Sequence, residues 1–161
     1  MNKKIILRII YAISTILICI SIFNFSNQDG NESGGKSKTI ANFVVNIVEK
    51  IRQNEFENRE EAVNKVDHII RKLAHFSIYT LLGISIMCFM CTFEIKIKYK
   101  VLTSLGLGLI YACSDELHQM FIPGREGKIT DILLDTSGVL FGILIIYFLV
   151  KITSKKMKKI F

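Results

Sequence analysis

The sequence predicts an all-α integral membrane protein with four transmembrane helices and an extracytoplasmic helical insertion between the first and second. Three observations carry that prediction. Half of the 161 residues are hydrophobic and mean hydropathy is +0.40, although 22% are charged. The apolar residues are gathered into four runs of roughly 18–22 residues, the length that crosses about 30 Å of hydrocarbon. The charges are sorted by sign between the ends of those runs. A soluble domain interleaves apolar and charged residues along every element. Blockwise segregation argues against a soluble enzyme, a disordered tail and a disulfide-framework secreted domain together.

The first span is expected at about residues 5–25, the second at 73–93, the third at 101–121 and the fourth at 129–150, in one membrane domain covering 1–161. The insertion is residues 26–72. The run from Ser26 through Asn27, Gln28, Asp29 and Gly30 to Gly35 reads as a glycine-rich exit loop. Ser37 or Thr39 is expected to cap a helix of about a dozen residues with one apolar stripe: Ile40, Phe43, Val44, Ile47, Val48 and Ile51. Too short to span, it is expected on the outer leaflet or packed over the bundle. Asn58 and Glu61 have capping-box spacing and open a helix that continues into the second span. Pro123-Gly124 marks the turn between the third and fourth spans. Nothing resembling a signal-peptidase site follows the first run, so that run is read as an uncleaved span.

The formal net charge of +7 is a topology signal. Lys3, Lys4 and Arg8, then Lys96, Lys98 and Lys100, then Lys151, Lys155, Lys156, Lys158 and Lys159 all fall on one predicted side, opposed only by Glu94. The other side has no basic excess, with Glu126 among its acids. Short Lys/Arg-rich loops stay in the cytoplasm, so both termini are expected there, in the cytoplasmic membrane. No nucleic-acid partner is needed to explain the charge. Cys19, Cys88, Cys91 and Cys113 all lie in apolar runs. The Cys88-x-x-Cys91 pair has neither a second pair nor a nearby His, and is read as bilayer-compatible packing. Gly34-Gly35-Lys36-Ser37 lacks the spacing and preceding strand of a phosphate loop.

The informative residues are polar ones at the outer ends of three spans, where a charge near a span's centre would cost about 2.5–3.5 kcal/mol. The second span brings Arg71, Lys72, His75, Ser77 and Tyr79; the third Ser114, Asp115, Glu116, His118 and Gln119; the fourth Asp131 and Asp135. Arg71, His75, Tyr79 and Gly83 recur every four residues and share one face. Asp131 and Asp135 share a seam with Gly138-x-x-x-Gly142, which permits close helix contact. Like charges four apart repel, so the two aspartates need a cation, a shared proton or both. Arg71, Lys72 and Arg125 are the candidate partners, with a divalent metal as the other candidate, held by Asp115, Glu116, Asp131 and Asp135.

These residues carry a family resemblance. Arg71-Lys72-Leu73-Ala74-His75-Phe76-Ser77-Ile78-Tyr79 with Leu82-Gly83 resembles the K-x-x-H-F-x-x-Y-x-x-L-G signature of the VanZ-like family. Asp115-Glu116-Leu117-His118-Gln119-Met120-Phe121-Ile122-Pro123-Gly124-Arg125 is similar to that family's D-E-x-x-Q-x-F-x-P-x-R. Asp131, Asp135, Gly138 and Gly142 resemble its D-x-x-x-N-x-x-G-x-x-x-G, with Asp135 where the family usually has Asn. Phe25-Ser26-Asn27-Gln28, with Ser33 and Ser37, is similar to the serine-rich segment after the family's first span. The resemblance implies a small bacterial membrane protein, associated through the founding member with low-level resistance to teicoplanin and related lipoglycopeptides.

Three functional readings follow. In the first, a cell-envelope protein binds or modulates an anionic lipid-linked group at the outer leaflet, such as a phospholipid headgroup or a lipid-anchored cell-wall precursor. Arg71, Lys72, His75 and Arg125 hold the anion by charge-assisted hydrogen bonds, with Tyr79 and Gln119 completing the binding set. In the second, a hydrolase or headgroup transferase acts on the same class, with His75, Asp115, Glu116, Asp131 and Asp135 as candidate acid–base or metal-holding groups. In the third, the role is purely structural, and the charges fix helix register or contact a partner protein.

Overall fold

The computed structural model describes residues 3–27, 30–125 and 127–160, and its regular elements are five helices with no strand among the described residues. In chain order they are α1 (Lys3–Ser26), α2 (Gly30–Arg52), α3 (Arg59–Cys91), α4 (Ile97–Gln119) and α5 (Ile129–Ile160). Gln28, Asp29 and Glu126 lie outside the described residues.

Three helices are long and apolar enough to cross a membrane: α1, α3, and α5 through Thr153. The expectation of four such runs is met at three. At 23 residues α4 is long enough, but its end carries Ser114, Asp115, Glu116, His118 and Gln119, which pull its hydropathy down. The expected capping box forms at the start of α3. The Asn58 side chain accepts from the Glu61 amide at 3.2 Å and donates to the Glu61 carboxylate at 3.3 Å. From there α3 runs unbroken for 33 residues, about 50 Å at 1.5 Å per residue. That exceeds the hydrocarbon thickness by several turns, so its first turns stand clear of the span.

The helices pack with consistent polarity. At one end of the bundle, Lys4 pairs with Glu94 at 2.5 Å, and Arg8 lies over the Phe93 ring and donates to the Thr92 carbonyl. This joins the start of α1 to the α3–α4 turn. At the opposite end, Gln119 donates to Ser26 at 3.3 Å and Arg125 to the Phe25 carbonyl at 3.1 Å, joining the ends of α1 and α4. The two ends therefore separate the lysine-rich connections from the cluster of acids.

Small residues bring the central helices together. A Cβ on Gly138 would stand 2.6 Å from the Phe76 carbonyl oxygen, and one on Gly142 would overlap the Thr80 carbonyl. From the other side, a Cβ on Gly83 would overlap the Val139 carbonyl. So α3 and α5 meet backbone to backbone, as the glycine seam requires. Around that contact Tyr79, Leu82, Met87, Ala112, Val139 and Ile143 are fully buried. The flanks of α1 and α5 remain covered in exposed Ile, Leu and Phe, as befits helices facing lipid.

The insertion differs from expectation in two ways. Helix α2 begins at Gly30, so most of the glycine-rich stretch assigned to an exit loop is helical, and the helix does not wait for a cap at Ser37 or Thr39. The expected stripe also does not seat the helix. Ala41 and Val45 are buried against Val63 with Phe56, Val66 and Ile70 around them, whereas Ile40, Phe43, Ile47 and Ile51 are exposed. Two apolar faces are present, and the one with the smaller residues packs on α3. Close helix approach favours small side chains, leaving the larger ones for an apolar surrounding.

Candidate functional site

The polar ends of α3, α4 and α5 converge at the end of the bundle away from Lys4 and Glu94. At the centre are His75, Asp115 and Asp135, one from each helix, each offering a nitrogen or oxygen within 4.8 Å of the others. The glycine seam explains the convergence. Gly138 lies one turn beyond Asp135 and seats against Phe76, next to His75, so the α3–α5 contact fixes the separation of imidazole and carboxylate. His75 Nδ1 is 3.7 Å from Asp135 Oδ1. Asp135 is 0% exposed, and neither of its oxygens accepts a hydrogen bond from the described residues.

Asp115 is held differently. Its Oδ2 accepts from the Tyr79 hydroxyl at 3.0 Å and from the Gln119 amide at 3.1 Å. The same Gln119 amide reaches Ser26 of α1. Tyr79 and Gln119 are both buried, and what they do in this structure is orient Asp115. Their four-residue spacings, His75 to Tyr79 and Asp115 to Gln119, place donor and acceptor on facing stripes.

The remaining site residues form a ring around this centre. Lys72 lies 3.6 Å from Asp131. Arg71 pairs at 2.7 Å with Asp67, one turn earlier on α3, and its buried Nε has no hydrogen-bond partner among the described residues. Glu116 turns away from the centre and accepts from the Lys128 backbone amide at 2.9 Å, anchoring the α4–α5 connection. That connection reverses at Pro123-Gly124, where Gly124 takes φ 74° and the Arg125 amide donates to the Ile122 carbonyl at 3.2 Å. Proline second and a left-handed glycine third is the residue order of a type II turn. Arg125 is thereby delivered to the rim, where burial lowers its guanidinium pKa below the ordinary value while the nearby Asp115 and Glu116 oppose that shift. His118 stacks on Phe23 at 4.7 Å between centroids, apart from the central trio. Ser77 and Ser114 are exposed and bond back to their own helices.

Thus His75, Tyr79, Asp115, Gln119 and Asp135 are brought into one cluster. Lys72 with Asp131, Arg71 and Arg125 stand around it, and Glu116 serves the connection. Two participants escaped sequence reasoning. Asp67 is 1% exposed, and its signal was present: an acid four residues before Arg71 on the same face. Ser26 is fully buried; the serine-rich resemblance marked its segment but gave it no place in the site.

The motifs that build this cluster lie on three helices in chain order, and the VanZ/LLP1 family model matches residues 10–151, nearly the whole chain. The chain belongs to the VanZ/LLP1 family. No curated protein matches it, and no solved structure does. In this VanZ/LLP1 member the first signature supplies His75 and Tyr79 from α3, the second supplies Asp115, Gln119 and the turn carrying Arg125, and the third supplies Asp135 with its glycine seam.

Proposed function

We propose that this VanZ/LLP1 protein is a bacterial cell-envelope protein with four spans, α4 being the third in chain order, and that its polar recess binds the anionic group of a lipid-linked molecule at the outer leaflet. The lysine-rich end then lies in the cytoplasm with both termini, following the bias of short loops. Placing α4 among the spans is reasonable because its polar last turns are covered: Asp115, Glu116 and Gln119 are all buried against neighbouring helices or the following loop. A charged residue facing the bundle interior is tolerated where one facing lipid is not.

The observation that carries the binding reading is the donor capacity at the rim. Arg71 gives Asp67 one nitrogen of its guanidinium, Arg125 gives Phe25 one hydrogen bond, and Lys72 stands with a long contact to Asp131. Guanidinium groups with donors in hand suit phosphate and carboxylate. The carboxylates beneath set the cations in place and exclude a second anion. A headgroup so held would alter access of lipoglycopeptides to the membrane surface, in keeping with the family association. The test compares Arg71→Gln and Arg125→Ala for membrane accumulation and teicoplanin susceptibility, beside lipid mass spectrometry of cells with and without the chain. Normal accumulation with lost phenotype supports the reading; unchanged phenotype in both variants refutes it.

The second reading is a membrane hydrolase or headgroup transferase. The juxtaposed His75 and Asp135 favour it, because a histidine beside a buried carboxylate is equipped to move a proton. It predicts that purified protein changes the composition of added lipid, and a lipid pool that stays unaltered speaks for binding alone.

A further inference from the structure

Asp135 presents a physical problem that the headgroup reading leaves unsolved. Its side chain is wholly buried, neither oxygen accepts a hydrogen bond among the described residues, and an imidazole stands 3.7 Å away. Burying an ionised carboxylate is costly unless it is paired and hydrogen-bonded or coordinates a metal. The Lys72 ammonium is turned to Asp131 and Arg71 to Asp67. Asp115, the second acid of the trio, is in the opposite condition: two hydrogen bonds on Oδ2 fix its plane and leave Oδ1 outside both. A carboxylate oriented by neutral donors such as a tyrosine hydroxyl and a glutamine amide has the outer-shell support typical of metal-ligating groups.

We propose that His75, Asp115 and Asp135 are the protein ligands of a divalent transition-metal ion, Zn2+ or Mn2+, bound between α3, α4 and α5. Two carboxylates and a neutral imidazole balance a double positive charge, which relieves the burial of Asp135 without a further cation. The ligand set points to the metal. An imidazole nitrogen with carboxylate oxygens and no thiolate suits Zn2+ and Mn2+, whereas Mg2+ prefers an all-oxygen, water-rich shell. The ligand atoms stand within 4.8 Å of one another. Bonds of about 2.0–2.2 Å require them to draw in by roughly 1 Å or more, within the reach of side-chain rotation. Three protein ligands would leave a coordination position for water or a further ligand. The site goes beyond the headgroup reading and does not depend on it, since it is complete without lipid.

The experiment uses the full chain, purified in detergent, stripped with EDTA and dialysed against Zn2+ or Mn2+ alone. About one ion per chain is expected by elemental analysis, with an unfolding midpoint that rises on loading and falls back with EDTA. Asp135→Asn and His75→Gln, near-isosteric changes, are expected to drop the bound ion below roughly a tenth per chain, while Gly106→Ala, remote from the site and with open space around it, keeps it. Wild-type protein that holds neither ion, or whose midpoint ignores both ion and chelator, overturns the proposal without recourse to any variant. Equal retention by wild type, Asp135→Asn and His75→Gln overturns it too. Because no lipid is present, the outcome is separate from the fate of the headgroup reading.

Discussion

The Tyr79 hydroxyl and the Gln119 amide end on the same oxygen of Asp115, so the position of that carboxylate depends on two buried neutral side chains. Tyr79→Phe removes one donor and keeps the ring. It is expected to cost about 1–2 kcal/mol, the penalty for a buried acceptor losing a partner, measured as a lower unfolding midpoint in detergent. The Lys4–Glu94 pair makes an instructive contrast. Lys4 holds the Glu94 carboxyl below its ordinary value, through their hydrogen bond first and their opposite charge second. A depressed folded-state value means that the pair's contribution is present at neutral pH and fades as pH falls through the carboxylate range. Both side chains are exposed, however, and exposed pairs contribute little. Glu94→Gln is therefore expected to leave the unfolding midpoint unchanged at pH 7, and a clear drop would show that the turn relies on this pair. His75, Asp115 and Asp135 were legible as polar residues at span ends. Asp67 was not singled out, because as an acid within the polar insertion it resembled its solvated neighbours.

Between helices, the α3–α5 seam is the contact least able to give. A side chain at Gly142 would meet the Thr80 carbonyl and the Ile84 amide, both backbone, so no rotamer change makes room. Gly142→Leu is expected to cost about 3 kcal/mol and to reduce membrane accumulation sharply, read by immunoblot of membrane fractions. Gly106→Ala has open space around it and serves as the neutral comparison. The small-residue spacing made this seam legible. Helix α2 was legible as amphipathic but not in orientation. Periodicity finds an apolar face, and in water that face turns inward. Here the bulky members turn outward, and Ala41 and Val45 make the protein contact. The outward face carries a prediction of its own: a bimane probe at Phe43→Cys should be quenched by spin-labelled lipid, and one at Arg59→Cys, on the helix facing α2, should not.

For the whole molecule, the two ends of the bundle differ in charge because the connections at one end are basic and those at the other are not, a pattern that reads directly from the chain. Helix α4 falls short of the other three in hydropathy because the average counts Asp115, Glu116 and Gln119 as if they were exposed, when all three are buried. In a chain with its native cysteines replaced, Arg125→Cys should react with a membrane-impermeant maleimide in intact cells, and Lys98→Cys only after permeabilisation. The reverse pattern would turn the molecule over and end the outer-leaflet reading. The burial of Asp135 also bears on how the chain is made. Leaving the translocon alone, α5 would carry Asp131 and Asp135 into the membrane with nothing to neutralise them. Helix α3, with Lys72, His75 and the glycine that receives Val139, is synthesised first and stands ready. Biosynthetic order thus supplies the docking partner before the helix that needs it, and a permuted chain with α5 emerging ahead of α3 would have to hold those acids at the interface until its partner arrived.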